Sequence, residues 1–194
     1  KGVDLETIIQ KKIEDVVSGL KVRDGSLILY HGSKSGIKGP IAPISRDRCD
    51  FGRGFYMGTE SYQPLTLISD FEQSKFYVIS LDLSDLRVLK VSPDIEWAML
   101  VAFNRGKMDE IRGTELYDRY ARMAKGYDVI VGSIANDRMF YVLDNFFLGN
   151  ITDKALVMSL SALQLGQQYV AVTVNACSHV VIEAEIELSH LERV

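Results

Sequence analysis

Apolar side chains recur at helical spacing over residues 5–20, while lysine and acidic side chains fill the opposite face. This pattern predicts an amphipathic helix over residues 4–20. It divides the chain into an N-terminal helical segment, 1–24, and a domain formed by residues 25–194. We expect the apolar stripe to pack on the core of that domain. The alternatives are that the helix docks a partner protein or joins two copies of the chain.

Beyond this helix, short runs rich in β-branched and aromatic residues alternate with longer helical patterns. The predicted strands are 27–30, 55–57, 76–83, 87–91, 127–134, 168–173 and 180–188, and the predicted helices are 61–73, 92–105, 115–124, 138–147, 152–163 and a turn at 175–178. Glycine and proline between positions 34 and 49 favour an exposed loop. Because strands and helices are mixed without strict alternation, the fold class is α+β.

Composition narrows the class of protein. A chain of 194 residues with 47% hydrophobic residues fits one domain with a continuous core, and a net charge of −4 does not indicate nucleic-acid binding. Cys49 and Cys177 are too few for a disulfide framework, which favours a reducing, cytoplasmic location. No apolar run reaches the length of a membrane span, so we expect no membrane partner.

The most informative stretch is Asp-Phe-Gly-Arg-Gly-Phe-Tyr-Met-Gly-Thr at positions 50–59. Gly52 and Gly54 allow a tight turn and a close approach to a ligand, and Arg53 between them is a permanent cation that can reach a phosphate. Tyr56 adds a flat ring with a polar tip. This combination suits a nucleotide.

A second candidate segment lies about twenty residues earlier. Residues 27–30 form a short apolar strand that we expect to end at His31, before Gly32 and Ser33, and strand ends are where functional sites are commonly built. Taken alone, each segment also has an ordinary structural interpretation. Glycine pairs are common in turns between strands, and His31 could be a histidine at a sheet edge.

Taken together, the two segments resemble the first NAD-binding motifs of the ADP-ribosyltransferases with a histidine-tyrosine-glutamate signature. That class contains diphtheria toxin and the poly(ADP-ribose) polymerases, and the chain is similar to a small, uncharacterised bacterial family in that superfamily. The matching motifs are Leu-Tyr-His-Gly-Ser at 29–33, positions 50–59, and later stretches at 127–137 and 167–173. The resemblance implies two packed, mainly antiparallel sheets around an NAD cleft, with helices between the early and late strands.

The resemblance also implies roles for individual residues, with NAD as the substrate. His31 would bind the adenosine ribose, the backbone of Gly32 would contact the nicotinamide amide, and Tyr56 would stack on the nicotinamide ring. We assign Arg53 to the NAD phosphates, and Gly54 belongs to the same predicted NAD-binding loop. The transition state has oxocarbenium character, so the site must also stabilise positive charge on the ribose.

The late-strand position departs from the family pattern. The related enzymes place a glutamate there, whereas this chain has Gln168, preceded by Gln167. Glutamine donates and accepts hydrogen bonds but supplies no negative charge. Asp50, which we also place in the NAD-binding loop, and Asp137 are candidates for the missing acid, although both residues are also typical of turn caps.

The resulting hypothesis is an NAD-dependent ADP-ribosyltransferase with His31, Tyr56 and Gln168 as the catalytic set and with no metal ion. It would act on a macromolecule, as a bacterial toxin or as the effector of a toxin-antitoxin pair. A small antitoxin, or a second copy of the chain, could bind through helix 4–20. The alternatives are an NAD glycohydrolase and a non-catalytic module that binds NAD or ADP-ribose.

Overall fold

The computed structural model describes residues 5–68, 72–163 and 165–188. Within these ranges seven helices and seven strands follow one another along the chain, together with a short 3-10 turn at Asp109–Ile111. The predicted helix over 61–73 is observed as far as Ile68, and its continuation over 69–71 lies outside the described residues.

The elements follow the predicted order, and their bounds differ from the predictions mostly by a few residues. They are α1 (Leu5–Ser18), β1 (Leu27–Ser33), β2 (Phe55–Gly58), α2 (Tyr62–Ile68), β3 (Lys75–Leu81), β4 (Val88–Lys90), α3 (Ile95–Asn104), α4 (Glu115–Met123), β5 (Val129–Ser133), α5 (Asp137–Phe147), α6 (Asp153–Ala162), β6 (Gln167–Ala171), α7 (Val174–Ser178) and β7 (Val180–Glu187).

All seven strands form one sheet in the order β4-β5-β6-β2-β1-β3-β7. Neighbouring strands are antiparallel except β4 and β5, which are parallel. The α+β class is therefore confirmed, but the described strands form one sheet rather than the two packed sheets that the resemblance implied. The reason is a single residue pair, Tyr30 with Gly58, which joins β1 to β2 and makes the sheet continuous.

Helices and loops cover both faces of the sheet with apolar side chains. On one face the fully buried Trp97 of α3 packs with Leu143 of α5 and Leu156 of α6. The Trp97 indole also donates a hydrogen bond to the carbonyl of Ser133, 3.0 Å away, so its polar atom is satisfied. On the other face, residues of β1, β2 and β3 pack against α7.

The N-terminal helix packs on the domain to which it is attached. Ile9 and Ile13 of α1 are buried against Phe76 of β3 and Ile186 of β7. The Ser61 hydroxyl donates to Gln10 Oε1, 3.1 Å away, so a polar contact accompanies the apolar one. This arrangement confirms the expected packing of the stripe. Self-association and partner docking through this helix stay predictions.

Replacing Ile13 with valine should lower the free energy of unfolding by about 1 kcal/mol, because a methylene is lost from a buried site. The matched control is Ile8→Val, since Ile8 lies on the same helix but is 41% exposed. The two substitutions change helix propensity equally, so their difference reports burial alone. Urea unfolding of the two variants measures it, and equal losses would contradict the docking of α1.

Two predicted boundaries are wrong for local reasons. β1 does not end before Gly32 but continues through Ser33, because β3 pairs with it along its whole length. α3 begins at Ile95 rather than after Ser92, because the Asp94 carboxylate accepts the Glu96 amide and caps the helix. Among the described residues, no helix combines the length and the apolar character needed to cross a membrane.

Candidate active site where β1 and β2 part

The candidate site lies where the pairing between β1 and β2 stops. Beyond the pair of Tyr30 and Gly58, no backbone pairing joins the two strands. The imidazole of His31 connects them instead, because its Nδ1 atom lies 2.6 Å from the carbonyl oxygen of Tyr56. A side chain therefore takes the place of a strand partner, and the sheet opens on a cleft.

This cleft has a volume of about 720 Å³. Ligand sites for small molecules typically enclose roughly 300–1,000 Å³, so the space suits a dinucleotide or a ligand of similar size. Its lining combines apolar and charged side chains from the early strands, the loop before β2, the end of α3, and β6. The lining residues include Tyr30, His31, Gly32, Arg46, Asp47, Arg48, Cys49, Asp50, Tyr56, Gly58, Arg105, Lys107, Phe140 and Gln168.

Gln168 of β6 lies at the base of the cleft and is 8% exposed. Its Nε2 atom donates to Asp50 Oδ2 at 3.2 Å and faces the carbonyl of Ser133 at 3.4 Å. Both partners are acceptors, which orients the amide and leaves Oε1 without a donor among the described side chains. On the two adjacent strands Gln168 pairs with glycines, Gly58 and Gly132, and the ring of Phe51 packs over Gly132.

Asp50 is the buried acid of the site. Its carboxylate is 13% exposed and accepts hydrogen bonds from Arg105 Nε at 3.1 Å and from Gln168. Its backbone carbonyl accepts from Asn104, so the loop is fixed to the end of α3. Burial raises the pKa of the Asp50 carboxyl, while Gln168 and the Arg105 cation act to lower it.

Tyr56 of β2 lines the same cleft. Its hydroxyl donates to the Gly52 carbonyl at 2.6 Å and accepts from the Phe51 amide at 3.0 Å. Burial raises the pKa of this phenol far above its ordinary value, so it is neutral. The loop before β2 therefore holds the ring in place, and Tyr56 lies on the same sheet face as Gln168, as the strand pairing requires.

His31 alternates to the other sheet face and reaches the cleft at the gap between the strands. Its ring stacks on Phe55 with centroids 4.3 Å apart. Burial lowers the pKa of His31, so the imidazole is neutral near pH 7. Because the Tyr56 carbonyl can only accept, Nδ1 carries the proton and Nε2 is left as an acceptor.

The two glycines that we assigned to NAD binding have packing reasons for lacking a side chain. A Cβ atom on Gly32 would lie 2.7 Å from the carbonyl oxygen of Pro64, where α2 crosses β1. A Cβ on Gly54 would lie 2.4 Å from Val170 Cγ1, where the loop crosses β6. Gly32 lines the cleft, whereas Gly54 does not line it. The Gly54 amide donates a hydrogen bond to the Ser45 hydroxyl.

Arg53 does not line the cleft either. It is exposed and pairs with Asp47 through a short hydrogen bond. Asp137 does not line the cleft: it is exposed in the first turn of α5, which Asn136 caps. Gln167 is exposed, so Gln168 is the glutamine of this strand that faces inward.

Sequence reasoning missed the cations that do line the cleft. They are Arg46, Arg48, Arg105 and Lys107. Arg105 also lies over the ring of Phe140, with 3.8 Å between the guanidinium carbon and the ring centroid. Arg105 follows α3 directly and was interpreted only as a helix end, so no local sequence signal marked it. Arg48 has a positive φ of 62°, which is uncommon for a residue with a side chain.

These observations define a mixed α/β domain with a polar cleft at an opening in its sheet. Residues 27–181 match the family described as "Protein of unknown function (DUF3990)". The match spans more than half of the chain and includes every residue of the cleft, so the chain belongs to this family. Searches of curated proteins and of solved structures found no match. The described residues contain no group of three or more His, Cys, Asp or Glu side chains placed to hold a metal ion.

Proposed function

We propose that the chain is an NAD-dependent ADP-ribosyltransferase with the ADP-ribosyltransferase fold. One observation carries the proposal. His31, Tyr56 and Gln168 come from three distant segments of the chain, and all three line one cleft at the opening between β1 and β2. The resemblance in the sequence implied this meeting of side chains, and nothing in the local pattern of any one segment required it.

The chemistry of the lining supports NAD as the ligand. The four cations of the cleft outnumber its two carboxylates, which favours a diphosphate. Arg46 has no ion-pair partner among the described residues, so it is the cation most available to a phosphate. Arg53, our first choice for the phosphates, can reach them only after leaving Asp47.

Three features of the cleft suit the nicotinamide and ribose groups of NAD. The Tyr56 ring is held rigidly enough to serve as a stacking surface for nicotinamide, because both hydrogen bonds of its hydroxyl are made to the loop. His31 Nε2 can accept a hydrogen bond from a ribose hydroxyl. Gln168 Oε1, at the base of the cleft, can accept a second one.

In the reaction, the bond between the ribose C1′ atom and the nicotinamide nitrogen breaks, and its electron pair leaves with nicotinamide. The acceptor atom then bonds to C1′ and loses its proton. The role of the protein is to hold the ring and the ribose in place while positive charge develops on the sugar. In this proposal the acceptor is a macromolecule, and the chain acts as a bacterial toxin or toxin-antitoxin effector in the cytoplasm.

Calorimetry with NAD, run beside an assay for nicotinamide release, tests the proposal. We expect the natural chain to bind NAD and to release nicotinamide. Tyr56→Ala should weaken binding about fivefold, since stacking contributes on the order of 1 kcal/mol. Tyr56→Phe keeps the ring and should retain most of the affinity.

Tyr141→Ala is the matched control, because Tyr141 is 71% exposed on α5. It should leave NAD affinity unchanged. Thermal unfolding of each variant confirms that the fold is intact. Binding without nicotinamide release in any condition would favour the binding module, and release into water without a macromolecular product would favour the glycohydrolase. A folded natural chain that does not bind NAD would overturn the proposal.

A further inference from the structure

The late strand of this chain carries an amide where the resemblance implies a carboxylate. Gln168 occupies that position, but it does not stand alone, because Asp50 Oδ2 accepts a hydrogen bond from its Nε2 atom. A carboxylate is therefore present within hydrogen-bond distance of the expected place, and it comes from the loop before β2. This inference rests on the proposed function.

We propose that Asp50 supplies the negative charge for NAD cleavage that β6 lacks, with Gln168 as the group that faces the ribose and Arg105 as the residue that positions Asp50. The contacts support this division. Arg105 binds one carboxylate oxygen and Gln168 the other, so the carboxylate is clamped from two sides. A charge held in this way needs little reorganisation as the transition state forms.

Asp50 is the only acid of the described cleft with this combination of burial and contact. Asp47, the other lining carboxylate, is 72% exposed and pairs with Arg53, so solvent screens its charge. Asp137 lies outside the cleft on α5. A carboxylate that is 13% exposed acts through a lower effective dielectric, where a charge has a larger effect on a nearby cation.

The carboxylate must be ionised for this role. Burial opposes ionisation of Asp50, and the Arg105 cation and the Gln168 amide both favour it. The reaction should therefore slow as the pH falls through the pKa of Asp50, at a higher pH than for an ordinary aspartate. The charge balance is simple: C1′ of the ribose gains positive charge as the electron pair leaves with neutral nicotinamide. In hydrolysis, a water oxygen then bonds to C1′ and releases one proton to solvent.

Exchanging the Asp50 carboxylate and the Gln168 amide between their two positions provides the test. Asp50→Asn removes the charge and keeps the shape, and we expect nicotinamide release to fall about a hundredfold while NAD affinity changes little. The double variant Asp50→Asn/Gln168→Glu returns a carboxylate to the cleft from the other side. It should recover release to within about tenfold of the natural chain. Gln168→Glu alone is less informative, because it places two carboxylates side by side and raises the pKa of one of them.

Asp137→Asn is the matched control, since it changes an exposed aspartate in the same way and should not alter release. Nicotinamide release is measured against pH, and NAD affinity is measured by calorimetry on the same folded samples. Unchanged release in Asp50→Asn overturns this inference alone. So does an exchanged variant that binds NAD but stays as slow as Asp50→Asn, because the contribution would then not be charge. A natural chain without NAD turnover overturns the proposed function and this inference with it.

Discussion

Replacing Gly54 with alanine is expected to lower the free energy of unfolding by about 2–3 kcal/mol, which lies at the upper end of the range for overpacking. The added Cβ would lie 2.4 Å from Val170 Cγ1 and 2.9 Å from the carbonyl oxygen of Ala171. Val170 is fully buried on β6, and its β-branched side chain has few alternative rotamers. The strand itself must therefore move.

A double-mutant cycle with Val170→Ala identifies the source of the loss. Removing the Val170 methyl groups relieves the shorter contact, so Gly54→Ala should be less destabilising in that background by about 1 kcal/mol. The contact with the Ala171 carbonyl remains, and the rescue should be partial. Gly58→Ala on β2 is the control, because the nearest atoms to its Cβ lie at 3.7 Å. Equal losses for Gly54 and Gly58 in urea unfolding would contradict the packing argument.

The glycines around Arg53 illustrate how far a local pattern can be interpreted. Gly52 has a φ of 79°, as expected for a tight turn. Gly54 has an ordinary φ, and its lack of a side chain is explained by a strand more than a hundred residues later. The prediction that Gly54 allows a close approach was correct, but the group that approaches it is strand β6 rather than a ligand. No local pattern distinguishes the two cases.

The type and order of the elements followed from the sequence because these depend on neighbouring residues. β5 is dense in β-branched residues and is buried, and Thr152 caps α6 through the Ala155 amide, so both elements are specified by their own residues. The sheet order depends on pairing between distant segments. β2 lies between β1 and β6, and nothing near β2 in the sequence specifies β6 as its partner.

The same limit applies to the candidate site. Tyr56 and Gln168 were predicted by resemblance and lie together. Asp50 was identified as a candidate acid, but its burial could not be predicted, because that depends on Arg105 from the end of α3 and on Phe51 packed over Gly132. The environment of a carboxylate is a tertiary property, and the sequence around Asp50 fits an exposed turn equally well.

Arg105 should accordingly matter to stability, and the effect should depend on pH. Arg105→Met keeps much of the side-chain volume but leaves the Asp50 carboxylate without its cation. We expect a loss of about 2–3 kcal/mol near pH 8, somewhat less than the ~3–5 kcal/mol typical of a fully buried pair, because Arg105 is 33% exposed.

The pH dependence follows from the raised pKa of Asp50, which Arg105→Met should raise further. Between the pKa of Asp50 in the unfolded chain and its higher value in the folded variant, the folded state binds more protons, so stability falls as the pH rises. The destabilisation should therefore be smaller at pH 5 than at pH 8. In an Asp50→Asn background the same substitution should be mild at both pH values, because no charge is left unpaired. Urea unfolding of the natural chain, the two single variants and the double variant at both pH values measures the coupling. If Arg105→Met lowers the free energy of unfolding equally at both pH values and in both backgrounds, Arg105 acts only through its contact with Phe140.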